Sequence, residues 1–196
     1  RMFPDYSALF TGVNADPGDN NRKDAGDESA HAGWSIILIY SSPSEKAHQL
    51  YLYDDFRHAN PQSTHPFTIQ GFRAPLSLDE ISGRLTAFVV EGDAQYWGDY
   101  IKFNGSPLSD AVNPWDNVWN SRSSGLGVGD IDGVDVDTFE VWPYIQPGDT
   151  TANVITGTGN EAWNLVYLIL SFRSDLPASP GLYSIGTISY RYQPGQ

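Results

Sequence analysis

The densest group of residues suited to metal chemistry is an acidic run in the second half of the chain. Residues 129–137 read Gly-Asp-Ile-Asp-Gly-Val-Asp-Val-Asp, and the carboxylates are Asp130, Asp132, Asp135 and Asp137. Calcium takes about six to eight hard oxygen ligands, so this density of carboxylates suits a calcium site. The spacing is not that of an EF-hand loop, because the glycine comes early and no glutamate closes the loop. The alternative is a solvated acidic turn whose side chains accept backbone N–H groups.

Loop tryptophans form a second candidate site. Trp97, Trp115 and Trp119 lie in or beside predicted loops and make up the candidate ligand-binding set. Exposed indoles can stack on the apolar C–H faces of sugar rings, and they also dominate protein–protein contacts. The alternative is that these side chains fill the ends of the core. Trp115 and Trp119 are four residues apart, so one helical turn would place both on one side.

No motif in the sequence specifies a catalytic centre. The four histidines show neither i,i+2 nor i,i+4 pairing, so zinc-binding spacing is absent, and no Gly-x-Ser-x-Gly elbow is present. Glycoside hydrolysis needs a facing pair of carboxyl groups, and any acidic protein offers candidates. Here they are Glu91, Asp93, Asp99, Glu140 and Glu161. We therefore predict a non-enzyme, with a glycan-acting hydrolase as the enzymatic alternative.

Composition narrows the classes of partner. The chain has 196 residues and a formal net charge of -13, so it repels phosphate backbones and we expect no nucleic-acid binding. The longest apolar run, residues 165–170, is much shorter than the roughly 20 residues of a membrane-spanning helix. Cysteine is absent, which excludes disulfides and thiol chemistry.

A β-rich fold has to position these groups. Short β-branched and aromatic runs alternate with Gly, Pro, Asn and Asp clusters, which predicts an all-β antiparallel sandwich or jelly roll of about nine strands with long acidic loops. Residues 34–40 and 165–170 are almost continuously apolar, which predicts central strands covered on both faces. We expect residues 1–196 to form one domain. The predicted strands are 34–40, 49–56, 67–72, 84–91, 100–103, 137–141, 152–156, 163–172 and 182–192.

Three ordered stretches carry a family pattern. The first is Ala32-Gly-Trp-Ser-Ile-Ile-Leu-Ile-Tyr40 with Leu52-Tyr-Asp-Asp-Phe56. The second is Val90-Glu-Gly-Asp93, Gly98-Asp-Tyr-Ile-Lys-Phe-Asn-Gly105, Pro107-Leu-Ser-Asp-Ala-Val-Asn-Pro114 and Asn117-Val-Trp-Asn-Ser121, and the third is Gly133-Val-Asp-Val-Asp-Thr-Phe139. Together they resemble a β-sandwich module of large secreted bacterial and archaeal cell-surface proteins, associated with adhesins or appendages. The sequence departs from that module at Asp55, where the module has glycine.

The resemblance implies a non-catalytic extracellular module, secreted or at the cell surface. Such modules act in surface display, adhesion or the assembly of filaments and pili, so the implied partners are further copies or another surface subunit. The module has strands before a segment like residues 4–9, which implies that another chain supplies a missing N-terminal strand. The resemblance implies metal binding or loop pinning for Asp135 and Asp137. The alternative function is a carbohydrate-binding module that uses loop aromatics together with calcium.

Overall fold

The computed structural model describes residues 7–12, 34–39, 46–54, 56–78, 81–124 and 133–173. About half of these residues lie in β-strands and almost none lie in helices, which confirms the predicted all-β class. No helix within them has the length and apolar character to cross a membrane. The strands are β1 (Ser7–Gly12), β2 (Trp34–Ile39), β3 (His48–Tyr53), β4 (Arg57–Ala59), β5 (Thr64–Gln70), β6 (Gly83–Val90), β7 (Tyr100–Phe103), β8 (Ser106–Pro107), β9 (Val134–Glu140), β10 (Thr151–Gly157) and β11 (Trp163–Arg173), with a 3₁₀ turn at Trp142–Tyr144.

The eight predicted strands between residues 34 and 172 each overlap an observed strand. Strands β1, β4 and β8 were not predicted, and the predicted strand at 182–192 lies outside the described residues. The shortest of these, β8, follows Asn104 and Gly105, whose φ angles of 47° and 86° form the tight turn of a hairpin with β7. An Asn-Gly pair favours this turn because both residues tolerate a positive φ.

Two antiparallel sheets pack face to face. One has the strand order β5-β10-β7-β8, and the other has the order β3-β11-β6-β9 with β4 added alongside β11. Alternating side chains of both sheets fill the core between them, including Phe67, Leu85 and Ile101. Trp163 and Trp119 meet edge to face within this core, with ring centroids 6.1 Å apart. The predicted sandwich is therefore the observed architecture.

Strand β11 is central and apolar on both faces, as predicted. Its pairing with β6 shifts register between Leu165 and Tyr167, which marks a β-bulge. Leu165 and Leu168 face the main core, whereas Val166 and Tyr167 belong to a second apolar cluster on the outer face of the sheet. The bulge thus lets consecutive apolar residues serve two different cores.

Strand β2 is not central, so that prediction was wrong. It pairs only with β1 among the described strands, in a two-stranded ribbon. Ile37 packs against the outer apolar cluster of Phe88 and Tyr167. Ile36 and Leu38 point the other way and are 51% and 59% exposed. The ribbon therefore covers part of the outer sheet face with one side and presents apolar side chains to solvent with the other.

The loops collect at two ends of the sandwich. We call one the acidic end; it consists of residues 91–99, 108–124 and 158–162. These loops lie together because Tyr100 pairs with Gly157, and Val90 pairs with Asn164, at the same end of the two sheets. We call the other the Trp142 end; it consists of residues 71–78, 104–105 and 141–150. The candidate functional residues that the structure describes lie at the acidic end.

Candidate functional site

Besides Glu91, four carboxylates are buried at the acidic end. Asp99 precedes β7, Asp135 and Asp137 lie on β9, and Glu161 lies in the turn between β10 and β11. Along β9 the two aspartates alternate with Val134 and Val136, so they point into the sandwich while the valines join the outer cluster. Carboxylates are rarely buried without partners, so their contacts indicate what they do.

Asp137 anchors the long loop between β8 and β9. Its Oδ1 accepts hydrogen bonds from the Ser124 N–H at 2.8 Å, the Ser124 hydroxyl at 3.1 Å and Asn113 Nδ2 at 2.7 Å. Asp110 holds the start of the same loop, where its Oδ1 accepts the N–H groups of Val112 at 2.7 Å and Asn113 at 2.8 Å. These bonds give the N–H groups of the loop acceptors and so fix its backbone.

Asp135 and Asp99 hold the next part of the loop. Asp135 Oδ1 accepts the Arg122 N–H at 3.2 Å, and Asp99 Oδ2 accepts the Trp119 N–H at 2.6 Å. Glu161 Oε1 accepts the Asp93 N–H. Three acidic side chains from three different elements therefore fix the backbone of the two loops that cover this end.

The sequence-based calcium site is only partly described. Asp130 and Asp132 lie outside the described residues. Asp135 and Asp137 are buried anchors on a strand rather than members of an open acidic turn. Asp99 and Glu161, which the sequence offered only as two of many carboxylates, complete the buried group. For Asp99, the sequence signal that could have singled it out was its place after Gly98 in the second family-like stretch.

Burial dominates the electrostatics of this group. It raises the pKa of Asp99 and of Asp137 to about 7, although hydrogen bonds from loop N–H groups lower both values. Burial, with the neighbouring Asp137 charge, raises the pKa of Asp135 to about 9. Burial, with the neighbouring Asp99 charge, raises the pKa of Glu161 to about 10. Burial therefore disfavours the charged form of these carboxyl groups at neutral pH, unless a cation offsets the charge.

The buried loop anchors support an exposed aromatic surface. The Gly98 N–H donates to the Asp116 carbonyl oxygen at 2.6 Å, which joins the two loops next to Trp97 and Trp115. Trp97 is 54% exposed and Trp115 is 59% exposed, and Tyr96 beside Trp97 is also exposed. Three aromatic side chains thus stand in solvent at one end of the sandwich.

An open cleft of about 360 Å³ lies beside Trp97. It lies between the two loops and combines the Trp97 indole with one acidic, one basic and one amide side chain. Its lining residues are Ala94, Trp97, Asp110, Ala111, Val112, Pro114, Asn120 and Arg122.

Trp119 does not belong to this surface, so its prediction as a ligand-binding residue needs correction. It is fully buried, and its ring packs against Trp163. The segment from Trp115 to Trp119 forms turns rather than a helix, so the two rings point in different directions. The backbone N–H of Trp119 donates to the buried Asp99 Oδ2, which holds residue 119 on the inner side of the loop.

The comparisons with known proteins leave the family open. No protein-family model and no curated protein matches the chain. Among solved structures, the chain is similar to a β-porphyranase of glycoside hydrolase family 86 from the human gut bacterium Bacteroides plebeius, with a TM-score of 0.40 and 14% identity. The match covers 74% of this chain and 27% of the other, so this chain spans about a quarter of that protein. A TM-score of this size carries no argument about function.

Proposed function

We propose that the acidic end binds a glycan and that the protein is a non-catalytic, extracellular surface module. The observation that carries this proposal is the pair of exposed indoles, Trp97 and Trp115, on loops joined by the Gly98–Asp116 hydrogen bond. An indole face is flat and apolar, as is the C–H face of a pyranose ring, and burying the two against each other removes apolar area from water. The neighbouring side chains of Asp110 and Arg122 can hydrogen-bond sugar hydroxyls.

The charge of the chain narrows the class of glycan. A net charge of -13 repels sulfated and uronic acid polymers over distances comparable to the Debye length. We therefore propose a neutral polysaccharide or oligosaccharide as the ligand. The resemblance to cell-surface modules supports an extracellular location, where such polymers are found.

The buried position of the acids supports a non-catalytic role. Glycoside hydrolysis needs two carboxyl groups that reach the substrate. Glu161 and Asp99 lie within hydrogen-bonding reach of each other but are buried, and neither lines the described cleft. Their contacts fit the anchoring of loops rather than an attack on a glycosidic bond.

The test is a glycan array followed by affinity electrophoresis in neutral polysaccharides. Trp97→Ala and Trp115→Ala should each weaken binding about tenfold or more, because each removes a stacking face. The matched control is Trp142→Ala, since Trp142 is 49% exposed but lies at the opposite end. Binding that all three variants retain, or that Trp142→Ala abolishes, would count against the proposal. Release of reducing sugars from a bound polymer would count against the non-catalytic part.

Self-association is the second candidate function, favoured by the exposed side of the ribbon. Ile36 and Leu38 project from β2 into solvent, and an exposed apolar strand face favours association. We propose a second copy of this chain as its partner, as in filament assembly. Light scattering of the protein at micromolar concentration should show oligomers that Ile36→Ser with Leu38→Ser converts to monomer. A monomeric wild-type protein would remove this candidate.

A further inference from the structure

We propose that Arg122 selects the glycan, by donating two parallel N–H groups to a pair of neighbouring hydroxyls on the sugar ring that stacks on Trp97. The ligand class is therefore a neutral glycan whose internal rings keep such a vicinal pair free, as β-1,4-linked chains do and β-1,3-linked chains do not. This inference rests on the proposed glycan-binding function and names the class of ligand within it.

Arg122 is the one basic side chain among the residues that line the cleft beside Trp97. It is exposed, and across the described residues no carboxylate forms an ion pair with its guanidinium and no group accepts a hydrogen bond from it. The acidic lining residue, Asp110, uses both oxygens within the loop: Oδ1 accepts the Val112 N–H at 2.7 Å, and Oδ2 accepts the Ser124 hydroxyl at 2.7 Å. The five N–H donors of the guanidinium are therefore available to a ligand.

The backbone around Arg122 is held on both sides. Ser121 and Ser123 are buried, whereas Arg122 between them is exposed. The Ser121 hydroxyl donates to the Gly92 carbonyl oxygen at 2.6 Å, and the Ser123 hydroxyl oxygen accepts a backbone N–H of β9 at 2.8 Å. The Arg122 N–H itself donates to Asp135 Oδ1 at 3.2 Å. Because the base of the side chain is already fixed, less freedom is lost when the guanidinium binds a ligand.

The loop that carries Trp97 is held as well. Ala94 and Trp97 both line the cleft from this loop. The Ala94 carbonyl oxygen accepts Asn117 Nδ2 at 3.1 Å, and the Trp97 carbonyl oxygen accepts Asn160 Nδ2 at 3.1 Å. The cleft thus combines an indole face for stacking with a guanidinium for hydrogen bonding, each on an anchored piece of backbone.

The shape of the guanidinium selects a pair of adjacent oxygens. Its N–H groups form a rigid planar fork, which matches two oxygens held side by side. A carboxylate offers such a pair, but the net charge of -13 disfavours an anionic ligand. Two hydroxyls on neighbouring ring carbons offer the same pair without the charge. Internal rings of β-1,4-linked glucose, mannose or xylose keep free hydroxyls at C2 and C3, whereas a β-1,3 linkage occupies C3 and separates the hydroxyls that remain.

The experiment titrates the full chain calorimetrically with β-1,4-linked hexasaccharides of glucose, mannose and xylose, and with the β-1,3-linked hexasaccharide of glucose. The wild-type protein should bind at least one β-1,4-linked chain about tenfold or more tightly than the β-1,3-linked chain. Arg122→Ala should bring this ratio close to one, and so should Arg122→Lys, which keeps the charge without the fork. Trp97→Ala should weaken the binding of both kinds of chain. Arg73→Ala removes an exposed arginine at the Trp142 end and is the matched control, which should change neither affinity.

A preference that persists in Arg122→Ala while Trp97→Ala loses binding would overturn the role of Arg122 and leave the glycan-binding function standing. A preference retained in Arg122→Lys would overturn the paired hydrogen bonds, because charge alone would then suffice. Tighter, Arg122-dependent binding of a β-1,4-linked mannuronic acid hexasaccharide would show that the guanidinium pairs with a carboxylate instead. If no hexasaccharide binds but the glycan array gives a ligand, only this inference fails, whereas an array without any ligand overturns both.

Discussion

At the Trp142 end, one exposed asparagine ties two loops together with neutral hydrogen bonds. Asn104 Nδ2 donates to the Tyr144 carbonyl oxygen at 2.9 Å, and its Oδ1 accepts the Asn153 N–H at 2.9 Å. At the acidic end, buried carboxylates tie the loops together, and Asp137 alone accepts three hydrogen bonds. A buried anion accepts stronger hydrogen bonds than an amide, but it ties the loops to protonation or to a cation. The comparison indicates that the acidic end is the end whose stability responds to conditions.

The largest expected effect is a dependence of stability on pH in the presence of EDTA. Folding raises the pKa values of Asp99, Asp135, Asp137 and Glu161 above the roughly 4 of an unfolded chain. Between about pH 4 and the native values of about 7 to 10, the native state therefore binds more protons than the unfolded state. Stability must fall as pH rises through this window. Thermal unfolding followed by circular dichroism should show Tm falling by roughly 10 °C or more from pH 5 to pH 9.

Variants at the two ends sharpen this prediction. Glu161→Gln removes one titrating group from the acidic end, so its Tm should fall less steeply between pH 5 and pH 9. Asp149→Asn is the control variant at the Trp142 end, where the Asp149 carboxylate accepts the Gln146 N–H. Equal slopes in both variants would show that the two ends do not differ as proposed.

The next effect compares two glycines that are required for different reasons. A Cβ at Gly92 would lie 2.6 and 2.8 Å from the Trp119 carbonyl oxygen and carbon, so Gly92→Ala must displace backbone at the acidic end. Gly105, at the Trp142 end, has open space around it but a φ of 86°. We expect Gly92→Ala to lower the free energy of unfolding by about 3 kcal/mol. Gly105→Ala should lower it by about 1 kcal/mol, because the only cost is an alanine in the left-handed backbone conformation.

Urea denaturation measures the free energy of unfolding of both glycine variants. Its slope also tells whether either variant unfolds without full cooperativity. If Gly92→Ala were as stable as Gly105→Ala, the Asp135 side chain and the Trp119 backbone could move away from residue 92 at little cost. That result would weaken the comparison between the ends.

The smallest expected effect compares two asparagines. Asn113 is buried and donates to Asp137 at 2.7 Å, whereas Asn104 is exposed. Asn113→Ala leaves a buried carboxylate short of a donor, so we expect a loss of about 2 kcal/mol. Asn104→Gly keeps the positive φ and removes only exposed hydrogen bonds, so we expect about 1 kcal/mol or less. Denaturation at pH 8 should separate the two, and the difference should shrink at pH 5, where Asp137 is protonated.

Two apolar strands show how far the sequence predicts the fold. Residues 34–39 and 165–170 have nearly the same apolar character, and both predicted a central strand. Strand β11 is central, but β2 forms an outer ribbon with exposed Ile36 and Leu38. Local composition gives the tendency to form a strand, but the number of sheet faces that cover it depends on partners far along the chain.

The candidate site shows the same division. The sequence marked Trp97 and Trp115 as loop aromatics, and both are exposed. It grouped Trp119 with them, because spacing alone cannot reveal that the Trp119 N–H bonds to Asp99 and that its ring packs on Trp163. It also grouped carboxylates by proximity along the chain, whereas Asp99 and Glu161 are 62 residues apart by their numbering and meet only through the strand order β10-β7 and the turn before β11.

By itself, the sequence determined the all-β class, most of the strands and the acidic character of the loops, because these depend on alternation and charge within a few residues. Only the tertiary structure decided which acids are buried, which tryptophans face water and which apolar strand is central. Burial is a property of what packs against a side chain, and those partners come from distant parts of the chain.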